Sequence, residues 1–429
     1  MPLSVSHLVL RAKQLEIESI RHLAGRVELV DVIGQLIHAL QRERGATSIY
    51  LASGGQRFAS ERQVAVDEAL PIEGALRDLF AKQVAPDQGA SAQTLSLMAW
   101  VLLDLEALAQ WRLQIANRTT SAHDSVAAYS RLIAGLVELI FHVADAALHP
   151  GISRLLVAFV HLVQGKESAG QERAVGAQLF ASGCNDEAEQ QRIVHLIEAQ
   201  ERSLAVFEEF AQTELRARWQ QHQVTPIVAQ LERMRRTLCT VKPGAALDAR
   251  LSESWFDVSS ARITEMWQLQ EELVQCLRQS CGDQIREAER NLQDSEGLLQ
   301  QLRNNPPPHS HAVARFFNAP EQPESAPVLT AGAEGVAVSS LVDLVQSQSA
   351  RLVSMEVELD AARRALHERK VIERAKGALM SRLGMTEEAA FRALQKASMD
   401  HNRKLLDVAE ATLTLPDAFF VASGTGKLK

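Results

Sequence analysis

A proline-rich stretch constrains the architecture of this 429-residue chain more than any other feature. A run of three prolines at 306–308 is followed by Pro320, Pro323 and Pro327. Proline fixes φ and lacks a backbone N–H donor, so neither a helix nor a central strand continues through such a stretch. The sequence therefore predicts a linker at 303–338 between two folding units.

The composition predicts an all-α fold. Helix-forming Ala, Leu, Gln, Glu and Arg recur throughout, aromatic residues make up only 5%, and long strand-like runs of β-branched residues are missing. We predict a large helical-bundle sensor domain, which is one large bundle or, as we favour, two associated bundles, then a long coiled-coil helix and a small three-helix C-terminal domain. The expected boundaries are 1–302 for the first domain, 303–338 for the linker, 339–415 for the coiled-coil helix with the second domain, and 416–429 for a flexible tail.

Apolar residues recur at helical spacing before the linker. Three stripes illustrate the pattern: Val30, Ile33, Leu36, Ile37 and Leu40; Leu132, Ile133, Leu136, Leu139, Ile140 and Val143; and Ile227, Val228, Leu231, Met234 and Leu238. Glycine and proline residues between such stripes predict where one helix ends and the next begins, for example at Gly54-Gly55 and Ser182-Gly183. Eight or more helices are expected in this domain.

After the linker, apolar residues step by alternating fours and threes across 341–366, interrupted by Gln348. This heptad seam predicts either a dimeric coiled coil or a helix that packs on the first domain. The helix is expected to continue to Leu383, with Gly384 as its cap. A second helix follows with Phe391 and Leu394 facing inward, and Asp400 is expected to cap a third.

The overall net charge of −8 hides a local asymmetry. Between Ala361 and Lys404, eleven lysine and arginine residues stand against five acidic residues, which gives this segment a net charge of +6. A basic segment on an acidic protein points to contact with a polyanion. A solvated helix face would give the same charge pattern, and charge alone does not separate the two.

Several classes of protein are disfavoured by what the sequence lacks. The four cysteines form no CxxC pair and no zinc-type set with histidine. The N-terminus has no signal-peptide pattern, and no uninterrupted apolar run approaches the ~18–20 residues that a membrane span requires. We therefore expect a soluble, cytoplasmic protein with no membrane association, no metal site and no cofactor.

The segment 368–380 carries the strongest chemical signal of the second unit. Read as a helix, it places Lys370, Arg374 and Gly377 on one face over successive turns. A glycine inside a helix costs about 1 kcal/mol relative to alanine, so a close approach of another backbone would rationalise Gly377. A small surface flanked by cations suits phosphates and the bases of RNA loops.

The residues from Ile372 to Met380, followed by Phe391, Leu394 and the run 402–405, resemble an ANTAR domain. Members of that family bind RNA, typically paired stem-loops, and relieve transcription termination. The resemblance implies the following candidates for the RNA face: Lys370, Arg374, Ala375, Lys376, Gly377, Met380, Arg403 and Lys404.

A short motif of Gln, Glu and Arg, which we call the phrase, occurs twice before the linker. Residues 41–46 read Gln-Arg-Glu-Arg-Gly-Ala, and Gln-Glu-Arg recurs at 171–173 among small residues. An internal repeat of two helical bundles would produce this pattern, with Arg44 and Arg173 facing a shared interface.

The first phrase, with the run 51–54 after it, resembles the NIT domain, a helical sensor module of nitrate and nitrite. Followed by an ANTAR domain, it has the order of the nitrate-responsive antiterminators. The resemblance implies that two arginines on different helices bind the anion. Arg44 is the first candidate, and Arg236 is slightly favoured as the second, with Arg235 and Arg173 behind it.

The physical chemistry of a planar anion supports a binding site formed by two arginines. A guanidinium donates two parallel hydrogen bonds to the edge of a planar anion and stays charged when desolvated. The competing interpretation is that the Glu-Arg neighbours of both phrases, Glu43/Arg44 and Glu172/Arg173, form structural salt bridges inside bundles.

These observations predict a nitrate- or nitrite-responsive antitermination regulator. It would bind leader-RNA hairpins when the anion occupies the sensor, and it would form a homodimer through the 341–366 helix or the sensor domain. The alternative is a helical adaptor for a partner protein with no nucleic-acid role. An enzyme is disfavoured, because no phosphate loop, zinc set, flavin motif or haem motif is present.

Overall fold

The computed structural model describes residues 5–85, 90–145, 149–304, 364, 367–385, 387–400 and 403–414. Nine helices lie in the described part of the first domain: α1 (Val5–Ala52), α2 (Ala59–Gln83), α3 (Ala92–Ala116), α4 (Ala122–Asp145), α5 (Pro150–Ser182), α6 (Glu187–Phe210), α7 (Thr213–Gln223), α8 (Pro226–Thr240) and α9 (Leu251–Asn304). Three helices are described after it: α10 (367–383), α11 (Glu387–Asp400) and α12 (Leu405–Thr414).

The first domain consists of two associated four-helix bundles. Helix α1 packs on α2 and α4, and α3 closes the first bundle by packing on α4 and α2. Helix α5 packs on α6 and α9, and α8 closes the second bundle by packing on α9 and α6. The two bundles join where α1 runs along α9 and where α4 and α1 meet α5. The all-α prediction is confirmed, and of its two alternatives the structure has the associated bundles.

The predicted apolar stripes form the core. On α1, Val30, Ile33, Leu36, Ile37 and Leu40 are all fully buried. Their i, i+3 and i+4 spacing places them on one side of the helix, where burial of each stabilises the fold by about 1.5–3 kcal/mol. One stripe residue behaves differently: Ile227 lies in the first turn of α8 and is exposed.

The helix ends follow the glycine, proline and capping signals. Gly54 and Gly55 turn the chain after α1 with φ values of +62° and +86°, and Gly183 ends α5 with φ +68°. Such left-handed conformations are accessible to glycine without a Cβ clash. At the start of α8, the Thr225 side chain accepts a hydrogen bond from the Val228 backbone N–H, and Pro226 occupies the first helical position.

The C-terminal unit is a compact three-helix arrangement with its own apolar core. Buried members of that core come from all three helices: Val371, Ile372, Ala375, Leu379, Ala390, Phe391, Leu394 and Ala409. Gly384 follows α10 with φ +64°, as expected for its cap. Phe391 and Leu394 face inward as predicted.

Two expectations for this region need comment. Asp400 is the last residue of α11 rather than the cap of the third helix, which begins five residues later at Leu405. The Ser398 hydroxyl near the end of α11 donates to the Arg403 carbonyl just before α12 at 2.6 Å. Apart from residues 303, 304 and 364, the predicted linker at 303–338 and the heptad helix at 341–366 lie outside the described residues.

Helices α3 and α4 are long and apolar enough to cross a membrane by length and composition alone. Charged residues interrupt both helices, for example Asp104 on α3 and Glu138 on α4, so neither is the uninterrupted apolar run considered in the sequence analysis. Helix α4 contributes the fully buried Leu132 and Ile133 to the core, and α3 contributes Leu108. Core helices of bundles meet the same criteria, and these two pack on each other inside the first bundle.

Candidate anion site and nucleic-acid face

The two occurrences of the repeated phrase place Arg44 on α1 and Arg173 on α5 at the same helix crossing. A Cβ added to Gly45 would lie 3.0 Å from Arg173 Nη2, and a Cβ added to Gly170 would lie 3.1 Å from Arg44 Nη2. Each glycine therefore makes room for the guanidinium of the opposite helix. The structure brings these two predicted candidates together between the bundles.

Arg44 is buried and donates to three side-chain oxygens. Its Nη1 donates to Ser130 Oγ at 2.8 Å and to Glu167 Oε1 at 2.6 Å, and its Nη2 donates to Glu167 Oε2 at 3.1 Å. The same carboxylate accepts from Gln41 Nε2 at 2.7 Å and from Gln171 Nε2 at 2.8 Å. A planar oxygen acceptor thus receives hydrogen bonds from two arginine nitrogens and two amide groups.

Arg173 is held from the other side by α9. Its Nη1 donates to Ser260 Oγ at 2.9 Å, and its guanidinium lies over the Phe256 ring, 4.7 Å from the centroid. Within the part of the chain that the structure describes, no carboxylate lies within ion-pair distance of Arg173. Burial and the nearby charge of Arg44 lower the pKa of Arg173 to about 10, so at neutral pH it remains a cation.

A third basic group, Lys166, lies fully buried at the same crossing. Its Nζ donates to Gln270 Oε1 at 2.6 Å and lies 4.5 Å from the centroid of the Trp267 ring, against which His38 stacks. Burial lowers the pKa of Lys166 to about 7, although the charges of Glu167 and Glu271 oppose that shift. A cation buried without its own ion pair is costly.

Basic groups outnumber the carboxylates bonded to them at this crossing. Arg44, Lys166 and Arg173 contribute three basic groups, Glu167 forms an ion pair with Arg44, and the charge of Glu271 acts on Lys166. The positive charge of the two arginines, with guanidinium and amide donors converging from adjacent helices, is suited to a small planar anion.

Arg235 lies in a separate cluster inside the second bundle. Its Nε and Nη2 donate to the two oxygens of Glu172 at 2.7 and 2.6 Å, and its Nη1 donates to Glu232 at 2.8 Å. Gln200 also contacts Glu172. Two carboxylates thus occupy the Arg235 guanidinium, which fits the structural salt-bridge interpretation. Arg236, the favoured second arginine, lies exposed on the outer side of α8.

The first bundle contains a matching cluster. Arg112 on α3 donates through Nε and Nη2 to the fully buried Glu43 at 2.8 and 2.7 Å, and its Nη2 reaches Glu73 at 2.7 Å. Glu43 and Glu172 occupy the same place in the two phrases and bind an arginine of the third helix of their own bundle. The glutamates of the phrases therefore serve the bundles, while the arginines that follow them meet between the bundles.

The RNA-face candidates lie in different environments. Arg374, Gly377 and Met380 are exposed on α10, and Lys370 is half-buried. Arg403 and Lys404 are exposed before α12.

Two other candidates face inward. Ala375 is fully buried in the C-terminal core. Lys376 is also buried, and its Nζ donates to Glu373 at 2.8 Å and lies 6.0 Å from the Phe391 ring centroid.

The C-terminal unit contacts helix α6 of the sensor. The centroid of the Phe391 ring lies 5.1 Å from the centroid of the His195 ring. The Cζ atom of Arg202 lies over the same ring, 4.7 Å from its centroid. Arg392 Nη1 donates to Gln191 Oε1 at 2.6 Å. We call this set of contacts the docking surface. It buries an aromatic residue of the basic unit against the sensor.

Comparison with known proteins gives consistent results. Residues 35–278 match the NIT family, described as nitrate and nitrite sensing, and residues 360–413 match the ANTAR domain. The chain is 31% identical over 407 residues to the nitrate regulatory protein of Klebsiella oxytoca, which covers 94% of this chain and 93% of that protein.

Two further similarities agree with these matches. The structure of the NasR transcription antiterminator is similar with a TM-score of 0.58 at 28% identity, and the match covers 94% of this chain and 96% of that chain. The transcriptional regulatory protein PdtaR of Mycobacterium tuberculosis is 38% identical over 72 residues, which are 17% of this chain and 35% of PdtaR.

Proposed function

We propose that this chain, which belongs to the NIT family of nitrate and nitrite sensors and is a nitrate-responsive antitermination regulator, binds its anion between Arg44 and Arg173. The observation that carries this proposal is the meeting of the two arginines between the bundles, each opposite a glycine. Arg235, by contrast, is occupied by two carboxylates.

The chemistry of the anion supports this assignment. Nitrate and nitrite are planar monoanions, and a guanidinium matches their edges with parallel N–H donors. Each charge-assisted hydrogen bond contributes roughly 1.5–3 kcal/mol, so two arginines with flanking amides reach the order of −8 kcal/mol that micromolar binding requires. The positive charge of Arg173 has no carboxylate partner among the described residues, and a monoanion would offset it.

The output is RNA binding by the ANTAR unit, and we propose leader-RNA stem-loops as its target. The exposed candidates Lys370, Arg374, Gly377, Met380, Arg403 and Lys404 would supply the contacts. A Cβ on Gly377 would meet nothing within 4 Å among the described residues, so the backbone of bound RNA is a suitable neighbour for this glycine. Lys376 would join this face when its bond to Glu373 is exchanged for one to phosphate.

The docking surface offers a route from anion to RNA. Phe391 is held between His195 and Arg202, so the C-terminal unit is restrained on α6. We propose that anion binding rearranges the crossing of α1, α5 and α9 and loosens this contact, since α6 packs along α5. A hundredfold preference of the anion for the released arrangement is worth about 2.7 kcal/mol.

The remaining parts of the proposal follow from the sequence. The chain would act in the cytoplasm as a binding switch rather than as an enzyme, and as a homodimer through the 341–366 helix or the sensor domain. Domain boundaries at 302, 338 and 415 are consistent with the family matches at 35–278 and 360–413.

A titration of a two-hairpin leader RNA, with and without millimolar nitrate, tests the proposal. We expect nitrate to raise the RNA affinity of the wild-type protein and to have no effect on Arg44→Ala or Arg173→Ala. Arg236→Ala is the matched control and should respond like the wild type, because its side chain is exposed on α8. Loss of the response in Arg236→Ala but not in Arg173→Ala would move the site to α8.

A further inference from the structure

Glu167 differs from the other glutamates that bind buried arginines. Glu43 and Glu172 each lie inside one bundle, and each shares its arginine with a second carboxylate, Glu73 or Glu232. Glu167 lies between the bundles and is the carboxylate that binds Arg44. A role in holding one bundle together therefore does not account for it.

The hydrogen bonds around Glu167 match those expected for the anion. Both carboxylate oxygens accept from Arg44, at 2.6 and 3.1 Å, and each accepts one amide donor, from Gln41 and Gln171, at 2.7 and 2.8 Å. A carboxylate and a nitrate ion are both planar, monoanionic and sp²-hybridised, with neighbouring oxygens that can receive a guanidinium edge. The donors that hold Glu167 are thus the donors that would hold the ligand.

The position of Glu167 on α5 places it beside the other basic groups of the site. Lys166 precedes it, and Gly170 gives space to the Arg44 guanidinium one turn later. The side chain is 13% exposed, so the carboxylate already borders solvent. A tethered carboxylate acts at a high effective concentration and competes strongly with a free ion.

We propose that Glu167 is an internal competitor for the anion site. Nitrate or nitrite binds when it displaces the Glu167 carboxylate from Arg44, Gln41 and Gln171, and this exchange sets the anion concentration to which the protein responds. The proposal rests on the anion site of the proposed function. It assigns Glu167 as a residue that tunes affinity, whereas a purely structural Glu167 would hold Arg44 in the orientation that binds the ligand.

Calorimetric titration of the full-length protein with nitrate distinguishes the two roles. Glu167→Gln keeps the shape and removes the competing charge, and we expect it to bind nitrate about tenfold or more tightly, the equivalent of one charge-assisted hydrogen bond. Glu232→Gln is the matched control, because it removes a carboxylate from Arg235 in the other cluster. Its nitrate affinity should equal that of the wild type.

The outcomes separate this proposal from the one on which it rests. Nitrate binding that is unchanged or weakened in Glu167→Gln would overturn the competitor role and leave the anion site in place. An absence of nitrate and nitrite binding in the wild type, Glu167→Gln and Glu232→Gln alike would overturn both.

A second variant keeps the test decisive if glutamine substitutes for the carboxylate in part. In Glu167→Ala, added formate supplies the missing carboxylate as a free ion. We expect formate to lower the apparent nitrate affinity of Glu167→Ala strongly and that of the wild type only slightly, since the wild type already contains the tethered group. Equal sensitivity to formate in the two proteins would overturn the competitor role.

Discussion

Burial of Lys166 at the proposed anion site lowers the stability of the folded protein when the lysine is charged. Its ammonium group is fully buried, with Gln270 as hydrogen-bond acceptor and the Trp267 ring as its other neighbour. Burial lowers the pKa of Lys166 from 10.5 to about 7. The folded protein therefore holds this proton less tightly than the unfolded chain does, and the charged lysine destabilises the fold.

The pH dependence of unfolding should report this cost. Between the folded pKa of about 7 and the unfolded value of 10.5, the unfolded chain binds more protons, so the contribution of Lys166 to stability rises with pH. We expect the free energy of unfolding of the wild type to gain about 1 kcal/mol per pH unit over Lys166→Met between pH 7.5 and 9, a range set by these two pKa values.

The comparison must be made at each pH in parallel denaturant titrations. Burial raises the pKa of Cys239, Cys276 and Cys281, and these thiols would lower stability as pH rises. Their effect is common to both proteins and cancels in the difference. A difference between wild type and Lys166→Met that does not change with pH would contradict a lysine that titrates in this range.

At the same scale, the sequence pointed to Arg44 and favoured Arg236 as its partner, whereas the site that we propose pairs Arg44 with Arg173. The segment 231–236 looked favourable because it carries three arginines beside an apolar stripe. What the sequence did not show is that Glu172, distant in the chain, occupies Arg235. A signal was available in the spacing of Lys166, Gly170 and Arg173, which lie on one face of α5 at i, i+4 and i+7. Ser130, Ser260 and Phe256 lie outside both phrases and had no comparable signal.

Helix α5 contacts its neighbours closely through glycine. A Cβ on Gly176 would lie 2.5 Å from Trp255 Nε1, and a Cβ on Gly165 would lie 3.1 Å from Leu204 Cγ. The Trp255 indole N–H donates to the Arg173 carbonyl at 3.0 Å, so the α5–α9 crossing is fixed one turn from the anion site. Glycine is accepted inside these helices because the crossing leaves no room for a side chain.

Gly176→Ala should therefore destabilise the sensor. Alanine gains about 1 kcal/mol in helix propensity, but an extra carbon in a packed crossing costs about 1–3 kcal/mol and here must displace a whole indole ring. We expect a net loss in the free energy of unfolding, measured by urea denaturation.

Gly74→Ala on α2 is the matched control for that experiment. This glycine is exposed, and a Cβ there would meet nothing within 4 Å among the described residues. Its substitution should stabilise the protein by up to about 1 kcal/mol. If both substitutions changed the free energy of unfolding equally, close packing at the α5–α9 crossing would not be the reason for glycine at position 176.

Among the elements, the sequence predicted best where one stripe of apolar residues coincides with clear ends. Helix α1 ends shortly before Gly54-Gly55 and α5 ends at Gly183, and both signals are local. Asp400 misled because a short polar residue also occurs at helix C-termini, and the position of the third helix depends on its packing against α11. The association of two bundles was suggested by the repeated phrase, although the sequence alone left a single large bundle open.

At the scale of the whole molecule, the docking surface joins the effector unit to the sensor. It uses the face of α6 that carries His195 and Arg202, and it holds Phe391, which is also part of the C-terminal core. Substitution of Phe391 would disturb the C-terminal unit itself, so the sensor side of the contact is the better place to intervene.

His195→Ala combined with Arg202→Ala should raise RNA affinity in the absence of nitrate and reduce the further increase that nitrate causes. The reason is that a restrained unit binds RNA only in the fraction of time it is released. Fluorescence anisotropy with the two-hairpin RNA measures both quantities. Arg218→Ala, an arginine of α7 bound to Glu265 on α9, is the control, and an RNA affinity in the double variant equal to that of the control would exclude restraint at this surface.

The length of α9 has a mechanical consequence. The helix passes the anion site at Phe256 and Ser260 and continues to Asn304, where the proline-rich segment of the sequence begins. Its last residue in the main core is Cys281, and from there to its end it extends roughly 35 Å at 1.5 Å per residue. Near that end it is paired with the start of α1, through Ile17 and Ala288 and through the ion pair of Arg21 with Glu289.

Such a pair of helices acts as a lever arm. A tilt of about 5° at Cys281 displaces the far end by about 3 Å, given the length of the arm. A small rotation of α9 within the sensor would thus become a displacement of about 3 Å where the helix ends and the proline-rich segment begins.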